Sequence, residues 1–82
     1  MKHIKVLLFA TLRDRAGAKS IEVNIPDGAT VQDLKDHIAS GYPNLKKSME
    51  TVVVSINREF AFDENIIPRG AEVAMFPPVS GG

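Results

Sequence analysis

Alternating apolar and polar residues predict two strands at the start of the chain. Residues 3–10 read HIKVLLFA and are rich in Val, Leu, Ile and Phe, which favour strands. In a strand, the even positions from Ile4 to Ala10 would share one face and the odd positions from Lys5 to Phe9 the other. Residues 20–25, SIEVNI, alternate more cleanly. The charged, glycine-containing stretch 11–19 is expected to be a loop or short turn, so the two strands would form a hairpin with a long connection.

A helical period follows the second strand. Thr30 stands where a helix N-cap is expected, with Asp33 three residues later in a variant of the capping box. Gly41 is a plausible first residue beyond the helix, and Pro43 is a further stop signal. The pattern predicts a helix from Val31 to about Ser40, with an apolar stripe at i, i+3 and i+7: Val31, Leu34 and Ile38.

The second half of the chain predicts three further strands. A polar stretch at 44–49 is expected to form a helical turn, and the β-branched run 51–57, TVVVSIN, should be a strand. Residues 60–62 would form a very short strand. Residues 63–70 contain a proline that excludes a central strand, so they form a loop. The last strand is predicted at 71–76.

The element order β-β-α-β-β-β predicts an α+β fold in which one helix covers one face of a mixed sheet. The first and last strands cannot be hairpin partners and are both strongly apolar, so central positions next to each other suit them. We expect one domain over residues 1–76 and an extended tail over 77–82.

Composition and charge exclude several classes of function. The 82 residues, 8.9 kDa, suffice for one small core, and ten Lys and Arg balance ten Asp and Glu. That balance argues against nucleic acid or an anionic membrane as the main partner. There is no cysteine, hence no disulfide or thiol nucleophile. The apolar run 6–10 is too short to span a membrane, and a cytoplasmic protein is expected.

Candidate catalytic sets are missing from the sequence. His3 and His37 stand alone, without a second ligand at metal-binding spacing. The acidic pairs Asp33/Asp36 and Asp63/Glu64 are interpreted as solvated charges, since no base–nucleophile pair accompanies them. No serine has a triad context, and no phosphate-binding glycine motif is present. We therefore expect no metal site and no independent enzyme.

The sheet face away from the helix should be polar in an isolated domain, yet the pattern leaves apolar residues on it. Leu7 and Phe9 lie on the second face of the first strand. The last strand must also leave one pair there, either Val73/Met75 or Ala74/Phe76. These residues would form an exposed patch for a protein partner. Alternatively, loops or curling of the sheet cover them.

The segment after Phe76 reads PPVSGG and carries the strongest candidate chemistry. Two prolines favour an extended course, and the segment could reach about 20 Å at about 3.3 Å per residue. Gly81 and Gly82 lack side chains, so they could thread a narrow channel and would leave the α-carboxylate of Gly82 unhindered. We interpret that carboxylate as the reactive group. Two glycines also occur by chance at inert, flexible ends.

The sequence resembles the ubiquitin-like β-grasp sulfur carriers, and within them the MoaD family of molybdopterin synthase small subunits. The resemblance covers nearly the whole chain, and its last motif is specific. Ala71 replaces an Asp that is frequent in the family, a change confined to a turn. The matching segments are Ile4–Ala10 followed by Leu12-Arg13, Thr30-Val31-x-x-Leu34, Val54-x-Ile56-Asn57, Gly70–Val73 and Phe76-Pro77-Pro78-Val79-Ser80-Gly81-Gly82.

The resemblance implies a mechanism in which partners supply the catalysis. An E1-like (MoeB-like) adenylyltransferase would use MgATP to convert the Gly82 carboxylate into an acyl-adenylate. A desulfurase- or rhodanese-type sulfur donor would then yield a C-terminal thiocarboxylate. Bound to the large (MoaE-like) subunit in a heterotetramer, the tail would donate that sulfur to the dithiolene of molybdopterin, made from cyclic pyranopterin monophosphate. No cofactor would be bound permanently.

The resemblance also assigns roles to residues. Gly82 would carry the sulfur, and five residues would thread the tail into the partner: Gly81, Ser80, Val79, Pro78 and Pro77. Phe9, Phe76 and Leu7 would contact the partner through the apolar patch, and Arg13 would add an electrostatic contact. Three alternatives stay open. They are a sulfur carrier for thiamin thiazole or another product, a protein modifier joined to lysines through Gly82, and an interaction module with an inert tail.

Overall fold

Five strands form one mixed sheet in the computed structural model, which describes residues 1–78. The strand order is β2-β1-β5-β3-β4; β1 and β5 are parallel and every other pairing is antiparallel. The α+β fold and the central, adjacent positions of the first and last strands are therefore confirmed. The elements in chain order are β1 Lys2–Leu8, α1 Thr11–Ala16, β2 Ser20–Ile25, α2 Val31–Gly41, 3₁₀ turns at Pro43–Leu45 and Ser48–Glu50, β3 Val53–Ile56, β4 Glu59–Ala61 and β5 Val73–Phe76.

The expected loop at 11–19 is wrong in part, because Thr11–Ala16 is helical. Leu12 is only 2% exposed and attaches this short helix to the core. One buried apolar residue in six positions gives no helical period, which is why the sequence pattern did not reveal it. Gly17 ends α1 with φ 70°, and its N–H donates to the carbonyl of Arg13 at 2.9 Å. Such a left-handed conformation suits glycine.

The first strand also ends earlier than its apolar pattern suggests. β1 stops at Leu8, and Ala10 is exposed with a positive φ of 52°. The chain therefore turns off the sheet after Phe9, whose carbonyl accepts a hydrogen bond from the N–H of Leu12 at 3.1 Å. The predicted inward face is confirmed for Ile4, Val6 and Leu8, but not for Ala10.

The capping box that begins α2 is confirmed in both directions. The N–H of Asp33 donates to Oγ1 of Thr30 at 3.2 Å, and the N–H of Thr30 donates to Oδ2 of Asp33 at 2.9 Å. At the other end, Gly41 belongs to the helix, whereas we expected it just outside. Tyr42 is the cap instead, donating its N–H to the carbonyl of Ile38 at 2.8 Å before the 3₁₀ turn begins.

One face of α2 and one face of the sheet form the hydrophobic core. The three apolar residues of β2 are buried, as are the apolar stripe of α2 and alternate residues of the central strands. The loop between β4 and β5 contributes Ile67, which is fully buried. The main side chains in this core are Ile4, Val6, Leu8, Ile21, Val23, Ile25, Val31, Leu34, Ile38, Val54, Val73 and Met75.

A two-residue hairpin joins β3 and β4. Asn57 and Arg58 both have positive φ, 51° and 70°, as a tight hairpin with the sheet's twist requires. This turn ends the predicted strand 51–57 at Ile56 and places the short strand one residue earlier than predicted, at Glu59–Ala61. At its other end β3 begins at Val53, because Thr51 caps the preceding 3₁₀ turn.

Lys2 is an unexpected member of the buried face. It lies at the same strand parity as Ile4 and is only 3% exposed. Its ammonium donates to the backbone carbonyls of Asp27, at 2.7 Å, and of Ile67. The charge is thereby compensated by two carbonyl dipoles, and Lys2 ties the first strand to two loops.

Candidate docking surface and tail root

An open apolar groove lies on the sheet face away from α2. The volume of this groove is about 410 Å³. Phe60 is 79% exposed and Phe9 is 40% exposed, so the groove offers aromatic surface to solvent. This favours the interpretation that the sheet face away from α2 is exposed to solvent rather than covered by loops or by curling of the sheet. We call this the apolar groove; it is lined by Leu7, Phe9, Ser55, Arg58, Phe60, Glu72, Ala74 and Phe76.

The register of the two central strands decides which residues reach this groove. Leu7 lies opposite Ala74 and Leu8 opposite Met75 in the parallel β1–β5 pairing. Since Val73 and Met75 are fully buried, Ala74 and Phe76 are the pair left on the outer face.

Phe9 and Phe76 meet at the end of this ladder. Their rings stack with centroids 4.7 Å apart and planes 10° apart. The N–H of Phe9 donates to the carbonyl of Met75 at 3.2 Å, which holds Phe9 beside β5 although β1 has already ended. The structure thus brings together three of the four predicted contact residues, Leu7, Phe9 and Phe76.

Arg13, the fourth, lies elsewhere. It is exposed on α1 and is not part of the groove lining. Its predicted electrostatic role stays a prediction.

Sequence reasoning missed Phe60 as part of this surface. Phe60 lies on β4 opposite the small residue Ser55, which leaves its ring free to cover the groove. The signal was present in the alternation of residues 60–62, where Ala61 is half-buried between two exposed phenylalanines. The rim is polar, because Nε of Arg58 lies 3.4 Å from Oε2 of Glu72. Apolar centre and polar rim are features of protein interfaces.

A second groove lies where the chain leaves the sheet. Pro77 is half-buried in it and Pro78 is exposed. We call this the tail-root groove; its lining residues are Thr11, Leu12, Arg15, Lys47, Ser48, Thr51, Pro77 and Pro78. Val79, Ser80, Gly81 and Gly82 lie outside the described residues. Their roles in threading the tail and carrying sulfur stay predictions.

The outer face of the sheet changes character along β1, from Leu7 in the groove to a charged cluster at His3. The sequence offered no second metal ligand near His3, but the structure pairs its ring with two residues of β2. Its Nε2 lies 2.6 Å from Oε1 of Glu22, and its Nδ1 lies 3.0 Å from Oδ1 of Asn24. Asn24 is directly opposite His3 in the antiparallel pairing, and Glu22 is its diagonal neighbour.

These contacts favour the imidazolium form, in which both ring nitrogens donate. The hydrogen bond with Glu22, followed by that with Asn24, raises the pKa of His3 above its ordinary value of 6.5. The hydrogen bond from His3 in turn lowers the pKa of Glu22. Across residues 1–78, no three His, Asp or Glu side chains gather in a way that could hold a metal ion.

None of the helices within residues 1–78 combines the length and the apolar character needed to traverse a bilayer.

Comparison with known proteins decides the family. The ThiS family matches residues 6–82, nearly the whole chain. The chain belongs to the ThiS family.

Three curated relatives of this ThiS family chain show two kinds of name. A molybdopterin synthase sulfur carrier subunit of Chlamydomonas reinhardtii is 40% identical over 98% of this chain and 99% of its own. One of Arabidopsis thaliana is 37% identical over 98% of this chain and 83% of its own. The small archaeal modifier protein 1 of Haloferax volcanii is 34% identical over 92% of this chain and 95% of its own.

Solved structures show the same fold. The crystal structure of the H. volcanii small archaeal modifier protein 1 matches with a TM-score of 0.84 and 29% identity, covering 96% of this chain and all of that one. A protein from Pyrococcus furiosus described as a putative molybdopterin converting factor, subunit 1, matches with the same TM-score and 28% identity, again over 96% of this chain. The predicted ubiquitin-like β-grasp fold is therefore confirmed.

Proposed function

We propose that this ThiS family chain is a sulfur carrier and the small subunit of a molybdopterin synthase. One observation carries the proposal: the full-length similarity to proteins named molybdopterin synthase sulfur carrier subunits. The apolar groove supports it, because a carrier must dock on the protein that receives its tail. The groove borders the root of that tail, since Phe76 lines the groove and Pro77 follows it directly.

Activation begins at the carboxylate of Gly82. One carboxylate oxygen attacks the α-phosphorus of MgATP in an E1-like adenylyltransferase, forming an acyl-adenylate and releasing pyrophosphate. A donor at the sulfide level then attacks the carbonyl carbon, and AMP leaves with the electron pair of the broken C–O bond. The product is a thiocarboxylate. A persulfide donor of the desulfurase or rhodanese type would in addition need a thiol to cleave the acyl disulfide.

The thiocarboxylate sulfur would next be transferred to a pterin precursor inside the large synthase subunit. Attack by this sulfur at a precursor carbon would expel the oxygen substituent of that carbon, which leaves with the electron pair of the broken C–O bond. Hydrolysis of the acyl–sulfur bond would then restore the Gly82 carboxylate and leave the sulfur on the product. Two such transfers supply a dithiolene. The carrier contributes an unhindered carbonyl group, while the partner contributes the cations and acid–base groups.

The described surface suits a subunit that binds a catalytic partner. The apolar groove offers aromatic anchors of the kind that dominate binding energy at interfaces. The Pro77-Pro78 step is stiff and favours an extended backbone at these two positions. The chain would thus act as a substrate-carrying subunit rather than as a catalyst.

Intact-mass measurement tests the chemistry. The purified chain is incubated with the adenylyltransferase, MgATP and sulfide, and we expect the mass increase for exchange of one oxygen by sulfur. A variant lacking Gly82 should show no increase, whereas Ser40→Ala, at an exposed position on α2, should behave like the wild type. Absence of the increase with an enzyme that is active on its own carrier would refute the sulfur-carrier proposal.

Complementation separates this pathway from thiamin synthesis. Expression in a strain without the small subunit of molybdopterin synthase should restore molybdoenzyme activity. Failure there, together with rescue of a thiamin auxotroph, would assign the sulfur to the thiazole instead.

Protein modification is a second candidate, favoured by the similarity to small archaeal modifier protein 1 in both sequence and structure. The same acyl-adenylate would react with a lysine amine to give an isopeptide bond. Affinity-tagged chain expressed in cells should then appear in larger conjugates that disappear when Gly82 is deleted. Tagged wild-type chain that remains entirely at its own mass would exclude this candidate.

A further inference from the structure

The tail-root groove has a composition that suits an anion. Two cations, Arg15 and Lys47, line it together with the hydroxyl side chains of three residues, and none of the lining residues within 1–78 carries a carboxylate. The hydroxyls are those of Thr11, Ser48 and Thr51. Every one of these side chains has a hydrogen atom to donate.

One of the cations is held in place. Nη1 of Arg15 donates to Oγ of Ser48 at 2.7 Å, and Ser48 is buried in the turn Ser48–Glu50. The bond links α1 to the turn on the other side of the groove. Arg15 itself remains exposed, and a guanidinium has five donors, so this single bond leaves donors for an incoming group.

Both grooves are lined by residues next to the tail root, although they share no lining residue. Phe9 and Phe76 line the apolar groove, whereas Thr11 and Pro77, one or two residues later, line the tail-root groove. A protein that seats on the aromatic residues and receives the tail would therefore contact both grooves. The apolar groove supplies burial, and the tail-root groove supplies charge, which chiefly sets register and partner choice.

We propose that the tail-root groove binds a carboxylate-bearing segment of the large synthase subunit, with Arg15 and Lys47 as the residues that recognise it. The inference rests on the proposed function and deepens it. Aromatic anchors alone do not specify the direction of approach. An ion pair beside Pro77 and Pro78 fixes the orientation in which the tail enters the partner.

A pair of neighbouring lysines provides a matched test. Lys47 lines the tail-root groove, whereas Lys46 lines clefts on the α2 side, next to Asp36. Lys47→Glu and Lys46→Glu change the net charge identically. By calorimetry with the large subunit, we expect Lys47→Glu to weaken binding roughly tenfold at low salt and Lys46→Glu to stay within about twofold of wild type. Added salt should weaken binding of the wild type more than binding of Lys47→Glu, because salt screens the ion pair that only the wild type forms.

The outcomes are distinguishable from those that test the proposed function. Intact wild-type binding with equal affinities for the two lysine variants would overturn the groove assignment and leave the sulfur-carrier proposal standing. No binding of wild type to the large subunit would overturn both. Arg15→Gln should weaken binding as well; if loss of its bond to Ser48 unfolds the chain, Lys47→Glu alone decides.

Discussion

Phe9 and Phe76 stack with their ring centroids 4.7 Å apart, although 66 residues lie between them in the sequence. The stack exists because β1 and β5 run parallel at the centre of the sheet and end together. It places an aromatic pair directly before Pro77, where the chain leaves the sheet.

Substitution of either stacked ring should impair partner binding more than folding. Phe9→Lys or Phe76→Lys removes an anchor from the apolar groove and places a charge there. We expect binding to the large subunit to weaken at least about tenfold, as for a hot-spot residue. Calorimetry measures the binding, and circular dichroism verifies the fold. Phe62→Lys is the control, because Phe62 is 69% exposed but does not line the groove.

The prediction fails if Phe9→Lys and Phe62→Lys bind equally well. In that case the aromatic groove would not be the contact surface.

Removal of the capping box should destabilise α2. Thr30→Ala deletes the oxygen that accepts from the N–H of Asp33. We expect the free energy of unfolding in urea to fall by about 1 kcal/mol. Thr51→Ala, an exposed threonine outside the helices and strands, serves as the control. A midpoint unchanged by Thr30→Ala would show that water replaces the cap at no cost.

Lys2 should matter for stability despite its charge. Lys2→Met keeps the length of the side chain but leaves the carbonyls of Asp27 and Ile67 without their buried donor. Unsatisfied groups of this kind cost about 1–3 kcal/mol each, and we expect a decrease of that order in thermal or urea unfolding. Lys5→Met, on the exposed side of the same strand, should change little. Equal stability of the two variants would contradict a structural role for Lys2.

The His3–Glu22 pair should make stability depend on pH. The raised pKa of His3 adds stability that is complete below its ordinary value of 6.5 and is lost as pH rises through the folded-state pKa. The lowered pKa of Glu22 adds stability that is complete above its ordinary value of 4.5 and is lost as pH falls through the folded-state pKa. The pair therefore contributes most between these two values.

An NMR titration measures this coupling directly. The pKa of His3 should fall when Glu22→Gln removes the carboxylate, and it should not change in Glu59→Gln, which alters a distant exposed carboxylate on β4. An identical His3 titration in wild type and Glu22→Gln would show that the contact does not form in solution.

The regular elements were predictable because each carries a local signal. β2 alternates over all six of its residues, and Thr30 with Asp33 marks the start of α2. The adjacency of β1 and β5 followed from their apolar character. The groove could be anticipated in part, since Leu7 and Phe9 had to lie on the face away from the helix.

The remaining features depend on contacts between distant segments. Lys2 is buried because two loop carbonyls reach it, and no local pattern encodes that arrangement. His3 meets Glu22 through the register of β1 with β2. α1 is held by one leucine, and Phe60 reaches the groove because its cross-strand neighbour, Ser55, is small. In each case the signal lies in the partner segment.

The position of β5 has a consequence for synthesis on the ribosome. A chain emerges from its N-terminus, so β1 and β3 are made well before the strand that lies between them. Until residues 73–76 have emerged, the nascent sheet has a gap at its centre, and neither ladder of β5 can form. A folded domain is therefore one that has been translated at least to Phe76, and shorter products would be left open to proteolysis. Only a chain that has been translated as far as the residue before the tail can therefore complete the sheet.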